Sequence, residues 1–302
     1  EYPNSEHYDE ALYWLAEAYY RQERFSEAAQ IYEKFLNLYP NNDLRDDAAH
    51  NLGWCLLRLG RVEASIEQFK AVAEESRDEY LRVSSICRIG DTLLESGEPV
   101  KALDYYDMVL TEYPKSLQAD YAQYQSGAVL QKLGRQEAAA LSFHSLLVNH
   151  PQSRFRADAM FRLGLTLLER GRADDAAEQF DKLIRLFPES ALREKAHFQL
   201  ANARFEQGRR EEALGVFQAI AEDGPLDDLS QLARYRSAQC LFRMGREKEA
   251  VAALEGLLQS APDGVYAPEA LFLLGDSAFE RGAYADARKH LAELTSRFGS
   301  HA

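Results

Sequence analysis

Prolines recur along this chain at a fixed interval. Seven of the nine prolines are separated by 37 residues or by twice that number: Pro3, Pro40, Pro114, Pro151, Pro188, Pro225 and Pro262. Counted from these prolines, or from Arg77 where one is missing, eight repeats start near residues 3, 40, 77, 114, 151, 188, 225 and 262. Because a repeat of this length cannot bury its own apolar face, neighbouring repeats must stack on one another. The interval therefore predicts an extended array.

Each repeat carries the pattern of two helices. Positions are counted from the repeat's proline, so that +13 lies thirteen residues after it. Apolar or small residues at +8, +12, +13 and +16 share one helical face, as Ala159, Leu163, Gly164 and Leu167 do in the fifth repeat. Glycine occupies +20 in seven repeats, at Gly60, Gly97, Gly134, Gly171, Gly208, Gly245 and Gly282, whereas the first repeat has Glu23. Since glycine favours the left-handed C-cap, the first helix is predicted to end there.

The expected start of the first helix lies close to the proline. Position +2 carries a short polar side chain in six repeats, at Ser5, Asn42, Ser116, Ser153, Ser190 and Asp227. Such a side chain accepts a hydrogen bond from a free N–H of the first helical turn. We therefore expect position +2 to be the N-cap.

Small residues at two positions predict closely packed helical hairpins. Position +13 carries Ala16, Gly53, Gly90, Gly127, Gly164, Ala201, Ala238 and Gly275. Glycine inside a helix costs about 0.5 to 1 kcal/mol against alanine, so we expect another backbone to pass too close for a side chain. Position +25 is small, at Ala28, Ser65, Ala102, Ala139, Ala176, Ala213, Ala250 and Ala287, and +29 is large, at Tyr32, Phe69, Tyr106, Phe143, Phe180, Phe217, Leu254 and Leu291. We expect the small residue to admit the neighbouring helix and the large one to fill the gap.

Together, Leu-Gly at +12 and +13, the small residue at +25, the ring at +29 and the closing proline resemble the tetratricopeptide repeat (TPR) pattern. The resemblance implies an all-α fold: a right-handed superhelical solenoid of eight helix-turn-helix units, forming one domain over residues 1–302. This repeat is three residues longer than the usual 34. The extra residues are expected to lengthen the first helix by nearly one turn, at about 3.6 residues per turn.

Several repeats open with an aromatic residue, proline, any residue and serine, as at Tyr2, Tyr113 and Phe187. In this the chain is similar to bacterial cell-envelope TPR proteins, such as the Tol-Pal-associated periplasmic protein and outer-membrane assembly lipoproteins. The likeness implies the periplasm or cell envelope as location, with the cytoplasm as the alternative. Neither end shows a polar capping helix, so we expect the chain to be an excerpt of a longer array.

Two joints between repeats depart from the pattern. The third repeat has Ser76 and Arg77 in place of the aromatic residue and proline, and the seventh opens with Gly224 and Pro225 in an acidic stretch over residues 222–228. We expect the superhelical turn to change at these joints.

The composition argues against most other functions. The net charge is −14, which repels nucleic acid and anionic lipid. No apolar run approaches the roughly 18 residues needed to cross a bilayer. The histidines and cysteines show no metal-binding spacing, and no catalytic serine or phosphate-loop motif is present. We therefore expect no enzyme activity, metal or cofactor, and we expect Cys55 and Cys240 to be buried packing residues.

The TPR resemblance implies that the first helices line a concave groove. Positions +10 and +17 then give a predicted partner-binding stripe of Tyr124, Phe161, Leu168, Phe198, Phe205, Tyr235, Phe242, Phe272 and Phe279. A stripe of this kind suits an extended peptide or an amphipathic helix. The alternative is that these rings complete the packing between neighbouring first helices.

The leading hypothesis is a non-catalytic scaffold that binds a protein or peptide in a bacterial envelope assembly. The alternatives are an architectural element that self-associates and a scaffold for polysaccharide export. A clamp for a chaperone carboxyl terminus is excluded, because +10 and +14 carry pairs such as Tyr13 with Glu17 and His50 with Trp54. Position +18 is basic in the first repeats and mostly acidic later, which fits either a groove that is basic near its start and acidic further on or a solvated charged face.

Overall fold

The computed structural model describes residues 7–223 and 227–299, and within them every regular element is an α-helix. The prediction of an all-α helical-repeat solenoid is confirmed. The helices are α1 Tyr8–Arg21, α2 Phe25–Leu38, α3 Arg45–Arg58, α4 Val62–Glu75, α5 Glu79–Glu95, α6 Pro99–Glu112, α7 Ala119–Lys132, α8 Gln136–Asn149, α9 Arg156–Glu169, α10 Ala173–Leu186, α11 Arg193–Glu206, α12 Arg210–Asp223, α13 Asp228–Arg243, α14 Glu247–Ser260, α15 Ala267–Glu280 and α16 Tyr284–Phe298. The expectations for Pro3, Ser5, Gly224 and Pro225 fall outside the described residues.

The chain divides into two compact parts between Ala159 and Met160, within α9. We call them the N-terminal part and the C-terminal part. In the N-terminal part each helix from α1 to α7 packs against the next, and α10 to α16 do the same in the C-terminal part. Each part is a stack of helical hairpins with its core between successive helices. The single domain over residues 1–302 and the handedness of the superhelix stay predictions.

The expected N-cap at +2 is confirmed for Asp227, which precedes α13, and is wrong in the other described repeats that have a short polar residue at +2. In those repeats the first helix begins at +5, and in three of them the +2 side chain accepts a hydrogen bond from the backbone N–H two residues later, whereas the hydroxyl of Ser116 has no partner among the described residues. The distances are 2.9 Å from Leu44 to Asn42, 3.1 Å from Phe155 to Ser153 and 3.2 Å from Leu192 to Ser190. Short polar side chains form such turns readily. The three extra residues therefore build a turn, and these first helices have 14 residues without the expected lengthening.

The two irregular repeats have the longer first helices. Helix α5 has 17 residues and α13 has 16. In both, an aspartate immediately before the helix accepts hydrogen bonds from its first turn: Asp78 from the N–H groups of Tyr80 and Leu81, and Asp227 from that of Ser230. In these two repeats the residues before +5 belong to the helix instead of forming a turn, so the helix starts earlier.

The predicted C-caps are confirmed. The seven glycines at +20 have φ between 71° and 80°, and Glu23 takes φ 60° in the first repeat. A residue with a Cβ is strained in this left-handed region.

The two helices of each hairpin pack closely, as expected, but the cause differs from the one that the sequence analysis gave. A Cβ added to Gly53, Gly90, Gly127 or Gly164 would lie 2.6 to 2.8 Å from the ring at +29 of the same repeat. The expected close backbone is therefore wrong: the ring itself occupies the space. The +25 residues are at most 3% exposed, which confirms their predicted role, and Ser65 donates a hydrogen bond of 2.7 Å to the carbonyl oxygen of Gly53.

The three cysteines are buried, as expected for Cys55 and Cys240. Burial raises the pKa of the thiols of Cys55 and Cys87 to about 12 and that of Cys240 to about 11. The reactive thiolate is therefore scarce at neutral pH, and these residues act as small packing side chains.

Candidate functional site

The predicted stripe residues at +10 mostly pack inside the array. Phe198 is buried, with its ring centroid 5.2 Å from that of Phe217. Phe161 contacts the Phe180 ring edge-to-face at 5.8 Å. Both rings therefore lie against the +29 ring of their own repeat, inside one hairpin, whereas the packing alternative expected contacts between neighbouring first helices. In the eighth repeat Phe272 is 56% exposed.

The two tyrosines at +10 are half-buried and stack on rings from the following repeat. Tyr124 stacks on Phe155 at 4.9 Å and donates a hydrogen bond of 2.5 Å to Asp158. Tyr235 stacks on Tyr266 at 6.2 Å. Each ring thus joins one repeat to the next and leaves only part of its surface for a ligand.

The stripe residues at +17 are more accessible. Leu168, Phe205 and Phe242 are half-buried, and Phe279 is 60% exposed. Phe205 lies at the end of α11, Phe242 at the end of α13 and Phe279 at the end of α15. The +17 position therefore presents three aromatic rings on successive first helices of the C-terminal part.

Two of these rings enclose a cavity of about 260 Å³, which we call the α13 pocket. Its lining consists of Phe205, Arg236, Gln239, Phe242, Arg243 and Leu273. These residues come from α11, α13 and α15, so the pocket lies on the face built by three successive first helices. The apolar walls and the convergent polar groups give it the character of a ligand site.

The α13 pocket is electropositive. Its lining contains two arginines and no acidic side chain. Arg236 donates a hydrogen bond of 3.0 Å to Gln239, and its Nε is buried with no hydrogen-bond partner among the described residues. Neither Arg236 nor Arg243 forms an ion pair within the described chain, whereas Arg246 pairs with both Glu211 and Glu249.

The predicted stripe lacked four of the pocket residues, of which Gln239 and Arg243 lie at groove positions of the family and Arg236 and Leu273 were missed altogether. Arg236 and Leu273 occupy +11, Gln239 occupies +14 and Arg243 occupies +18. The stripe was predicted from +10 and +17 alone. Because positions three and four apart share a helical face, +11, +14 and +18 form a second row beside it. The helical spacing was therefore the available signal.

On the corresponding face of the N-terminal part, the polar side chains bond to one another, and Arg88 and Tyr121 also line a cavity of about 430 Å³. The hydroxyl groups of Tyr106 and Tyr121 both donate to Asp91 Oδ1 at 2.7 Å, and Arg88 donates to Oδ2 at 2.7 Å. The Arg88 guanidinium also lies over the rings of Trp54 and Tyr121, at 5.0 and 5.6 Å. Burial and the Asp91 carboxylate raise the pKa of both tyrosines.

A second carboxylate has the same role in the first repeat. Glu17 accepts hydrogen bonds from the hydroxyl of Tyr32 and from Asn51, the latter at 2.7 Å. Burial, followed by the hydrogen bond to Glu17, raises the pKa of Tyr32. The hydroxyls at +29 are thus satisfied by acids at +14.

The part of the chain that the structure describes contains neither a cluster suited to a metal ion nor a helix suited to span a membrane. No group of three or more histidine, cysteine, aspartate or glutamate side chains is placed to hold a metal ion there. None of the helices that the structure describes is both long enough and apolar enough to cross a membrane.

Family models identify the repeats. The model of the tetratricopeptide repeat-like domain matches residues 148–300, and models of the tetratricopeptide repeat match residues 8–74, 88–116 and 121–153. The chain belongs to the tetratricopeptide repeat family. Proteins of this family bind protein or peptide partners and are typically non-catalytic scaffolds. A comparison with curated proteins found no match.

Solved structures with the same fold include three TPR proteins. The C-terminal part of a TPR protein from Cytophaga hutchinsonii is 15% identical with a TM-score of 0.66, over 86% of this chain and 99% of that one. A TPR protein from Parabacteroides merdae is 16% identical with a TM-score of 0.53, over 87% and 96%. YrrB, described as a TPR protein with an unusual peptide-binding site, is 21% identical with a TM-score of 0.55, over 68% and 98%.

Proposed function

We propose that the chain is a non-catalytic interaction module that binds a peptide or helix of another protein through the first-helix face of its C-terminal part. The observation that carries the proposal is the row of Phe205, Phe242 and Phe279 beside the α13 pocket. Large rings that are at least partly accessible next to a concave pocket favour binding, because they bury much apolar area and lose little side-chain entropy. The peptide-binding site of YrrB supports the same use of the fold.

Random-peptide display on the purified chain tests the proposal. We expect peptides to be enriched on the wild type, and the variant Phe205→Ala/Phe242→Ala/Phe279→Ala to bind them at least about tenfold more weakly, since buried aromatic anchors dominate such interfaces. The matched control is Leu141→Ala/Val148→Ala/Leu186→Ala, which removes three exposed apolar side chains from second helices. This control is expected to bind like the wild type.

Two results contradict the proposal. One is the absence of any enriched peptide, and the other is a peptide that the triple phenylalanine variant binds as well as the wild type does. Circular dichroism of both variants establishes that they are folded. Light scattering at increasing concentration tests the architectural alternative, which requires oligomers that the phenylalanine variant does not change.

The cellular setting we propose is a bacterial envelope assembly. The support is the aromatic-proline-x-serine opening shared with envelope TPR proteins, of which Tyr113–Ser116 and Phe187–Ser190 lie within the described chain. Fractionation of cells that express the full reading frame tests this location. Recovery of the protein only with the cytoplasmic fraction contradicts it and leaves the proposed peptide binding unaffected.

A further inference from the structure

We infer that the partner peptide carries a bulky apolar side chain next to a carboxylate, and that the α13 pocket recognises this pair. The apolar side chain enters between Phe205, Phe242 and Leu273, and the carboxylate binds Arg236 and Arg243. The inference rests on the proposed function and specifies the chemistry of its partner.

The size of the pocket suits a single side chain. Its volume of about 260 Å³ lies below the range of about 300 to 1,000 Å³ typical of small-molecule sites. Two phenylalanine rings and one leucine form its walls. One leucine, phenylalanine or tryptophan side chain of a peptide therefore fills it and leaves the neighbouring peptide residues at its rim.

The charges of the pocket select an acidic rim residue. The chain as a whole is acidic, yet this lining holds Arg236 and Arg243 with no carboxylate to neutralise them. A ligand carboxylate in the pocket meets the guanidinium groups of both arginines, and a charged acceptor makes a stronger hydrogen bond than a neutral one.

The positive surface continues beyond the pocket. Arg243 also lines a neighbouring cavity of about 400 Å³ together with Arg210, Glu211 and Glu212. The two glutamates there are already paired, Glu211 with Arg246 and Glu212 with Arg209. Within the described chain Arg210 forms no ion pair, so a second carboxylate on the peptide also finds a cation on this side.

A larger cavity of the C-terminal part lacks this selectivity. It measures about 710 Å³ and its lining includes Glu189 and Glu194 beside Arg193. An acidic peptide meets like charges there, which disfavours binding. The α13 pocket is therefore the better site for a carboxylate.

The peptides enriched by display give the test. We expect their shared sequence to place Asp or Glu within two residues of Leu, Phe or Trp. Synthetic copies of two of them, and copies with Asp→Asn or Glu→Gln, are titrated against the wild type by fluorescence anisotropy. We expect the amide copies to bind about tenfold more weakly, and salt to weaken only the acidic ones.

The matching protein variants are Arg243→Gln and Arg236→Gln/Arg243→Gln. We expect the double variant to bind the acidic peptides about tenfold more weakly and the amide peptides unchanged. The control Lys182→Gln/Arg185→Gln removes two cations from α10, where both pair with acids of the same helix. This control loses the same net charge and is expected to retain binding.

Each outcome is decisive for one of the two proposals. If no peptide is enriched, the proposed function itself fails. If the enriched peptides are neutral, or bind the arginine variants as well as the wild type, the proposed function stands and the carboxylate inference is overturned. If the double variant is unfolded, Arg243→Gln decides alone, since Arg243 is exposed, and a loss of about threefold is expected.

Discussion

The third and seventh repeats place the same residue type at the same position and use it differently. Arg88 and Arg236 both occupy +11, and each donates to the residue at +14. In the N-terminal part that residue is Asp91, which neutralises Arg88. In the C-terminal part it is Gln239, which leaves the charge of Arg236 available. The residue at +14 thus decides whether the arginine at +11 is paired with a carboxylate or with a neutral amide.

At +29 the N-terminal part carries two tyrosines as well as Phe69 and Phe143. Tyr32 and Tyr106 have hydroxyl groups bound by carboxylates. Phe180, Phe217 and Leu254 of the C-terminal part have no hydroxyl and need no acceptor. The small residues at +25 are buried in both parts, so the two parts differ in their polar residues.

The largest effect is expected from Asp91→Ala in the N-terminal network. The substitution removes the acceptor of two tyrosine hydroxyls and the partner of Arg88, and the free energy of unfolding falls by about 3 kcal/mol. Urea denaturation together with hydrogen exchange of α5 and α6 measures the loss. The variant Asp91→Ala/Tyr106→Phe is expected to recover part of it, and an Asp91→Ala protein as stable as the wild type contradicts the network.

Next in size are Ala102→Leu and Ala176→Leu, one in each part. Both alanines are fully buried opposite a glycine and a ring, so each substitution overpacks its seam and costs about 1 to 3 kcal/mol. Thermal melting of the two variants tests whether the seam is equivalent in the two parts. Ala285→Leu, at an exposed position of α16, is the control. If the melting temperature falls in only one of the two variants, the hairpins of the two parts are not packed equivalently.

The substitution Gln239→Asp gives the seventh repeat the acid of the third. The new carboxylate pairs with Arg236 and competes with the peptide carboxylate, so affinity for acidic peptides is expected to fall about tenfold, or about 1.4 kcal/mol. Anisotropy titration measures this, with circular dichroism to check folding. Unchanged affinity contradicts the role assigned to position +14.

A smaller effect is expected from pH, and it belongs to the N-terminal part. Burial, with a minor contribution from Arg88, lowers the pKa of His50 from 6.5 to about 4, and its Nδ1 lies 2.9 Å from Ser85 Oγ. The unfolded chain therefore takes up the proton first, so the stabilisation is complete above pH 6.5 and is lost as the pH falls towards 4. Between pH 7 and 5.5 the loss is about 1 kcal/mol.

Denaturation of the wild type and of His50→Phe across this range measures the contribution. The variant places the ring that Phe161 and Phe198 provide at +10, and its stability is expected to depend less on pH. Parallel pH profiles for the two proteins would show that His50 is not the titrating group.

The smallest effect is expected at the first C-cap. Glu23 takes the left-handed conformation that glycine takes in the other repeats, so Glu23→Gly relieves strain and stabilises α1 by about 0.5 to 1 kcal/mol. Differential scanning calorimetry measures the shift. Gly208→Ala in the C-terminal part is the reverse experiment, and a rise in its melting temperature contradicts the strain argument.

The repeat interval, the glycine C-caps and the buried small residues were predictable because each follows from backbone geometry at a recurring position. The helix starts were not, because Asn42, Ser153 and Ser190 suit a turn as well as an N-cap. The partner of Gly164 was also missed: a glycine indicates that space is scarce without showing that the Phe180 ring fills it.

The functional site was only partly predictable. Phe205, Phe242 and Phe279 followed from the family's groove positions. The α13 pocket depends on which arginines lack an acid nearby, and that requires three-dimensional neighbours. One sign was present in the sequence, since both tyrosines at +29 occur in repeats with an acid at +14.

That pairing of hydroxyl and acid has an evolutionary consequence. In the eighth repeat Asp276 stands at +14 without a tyrosine at +29, and its side chain is exposed. An acid at +14 alone is thus tolerated, whereas a tyrosine at +29 alone leaves its hydroxyl group without a hydrogen-bond partner inside the hairpin. Mutational routes between the two types of repeat therefore run in one order, with the acid gained first and lost last. We therefore expect the residues at +14 and +29 to co-vary among related repeats, although they lie 15 residues apart in sequence.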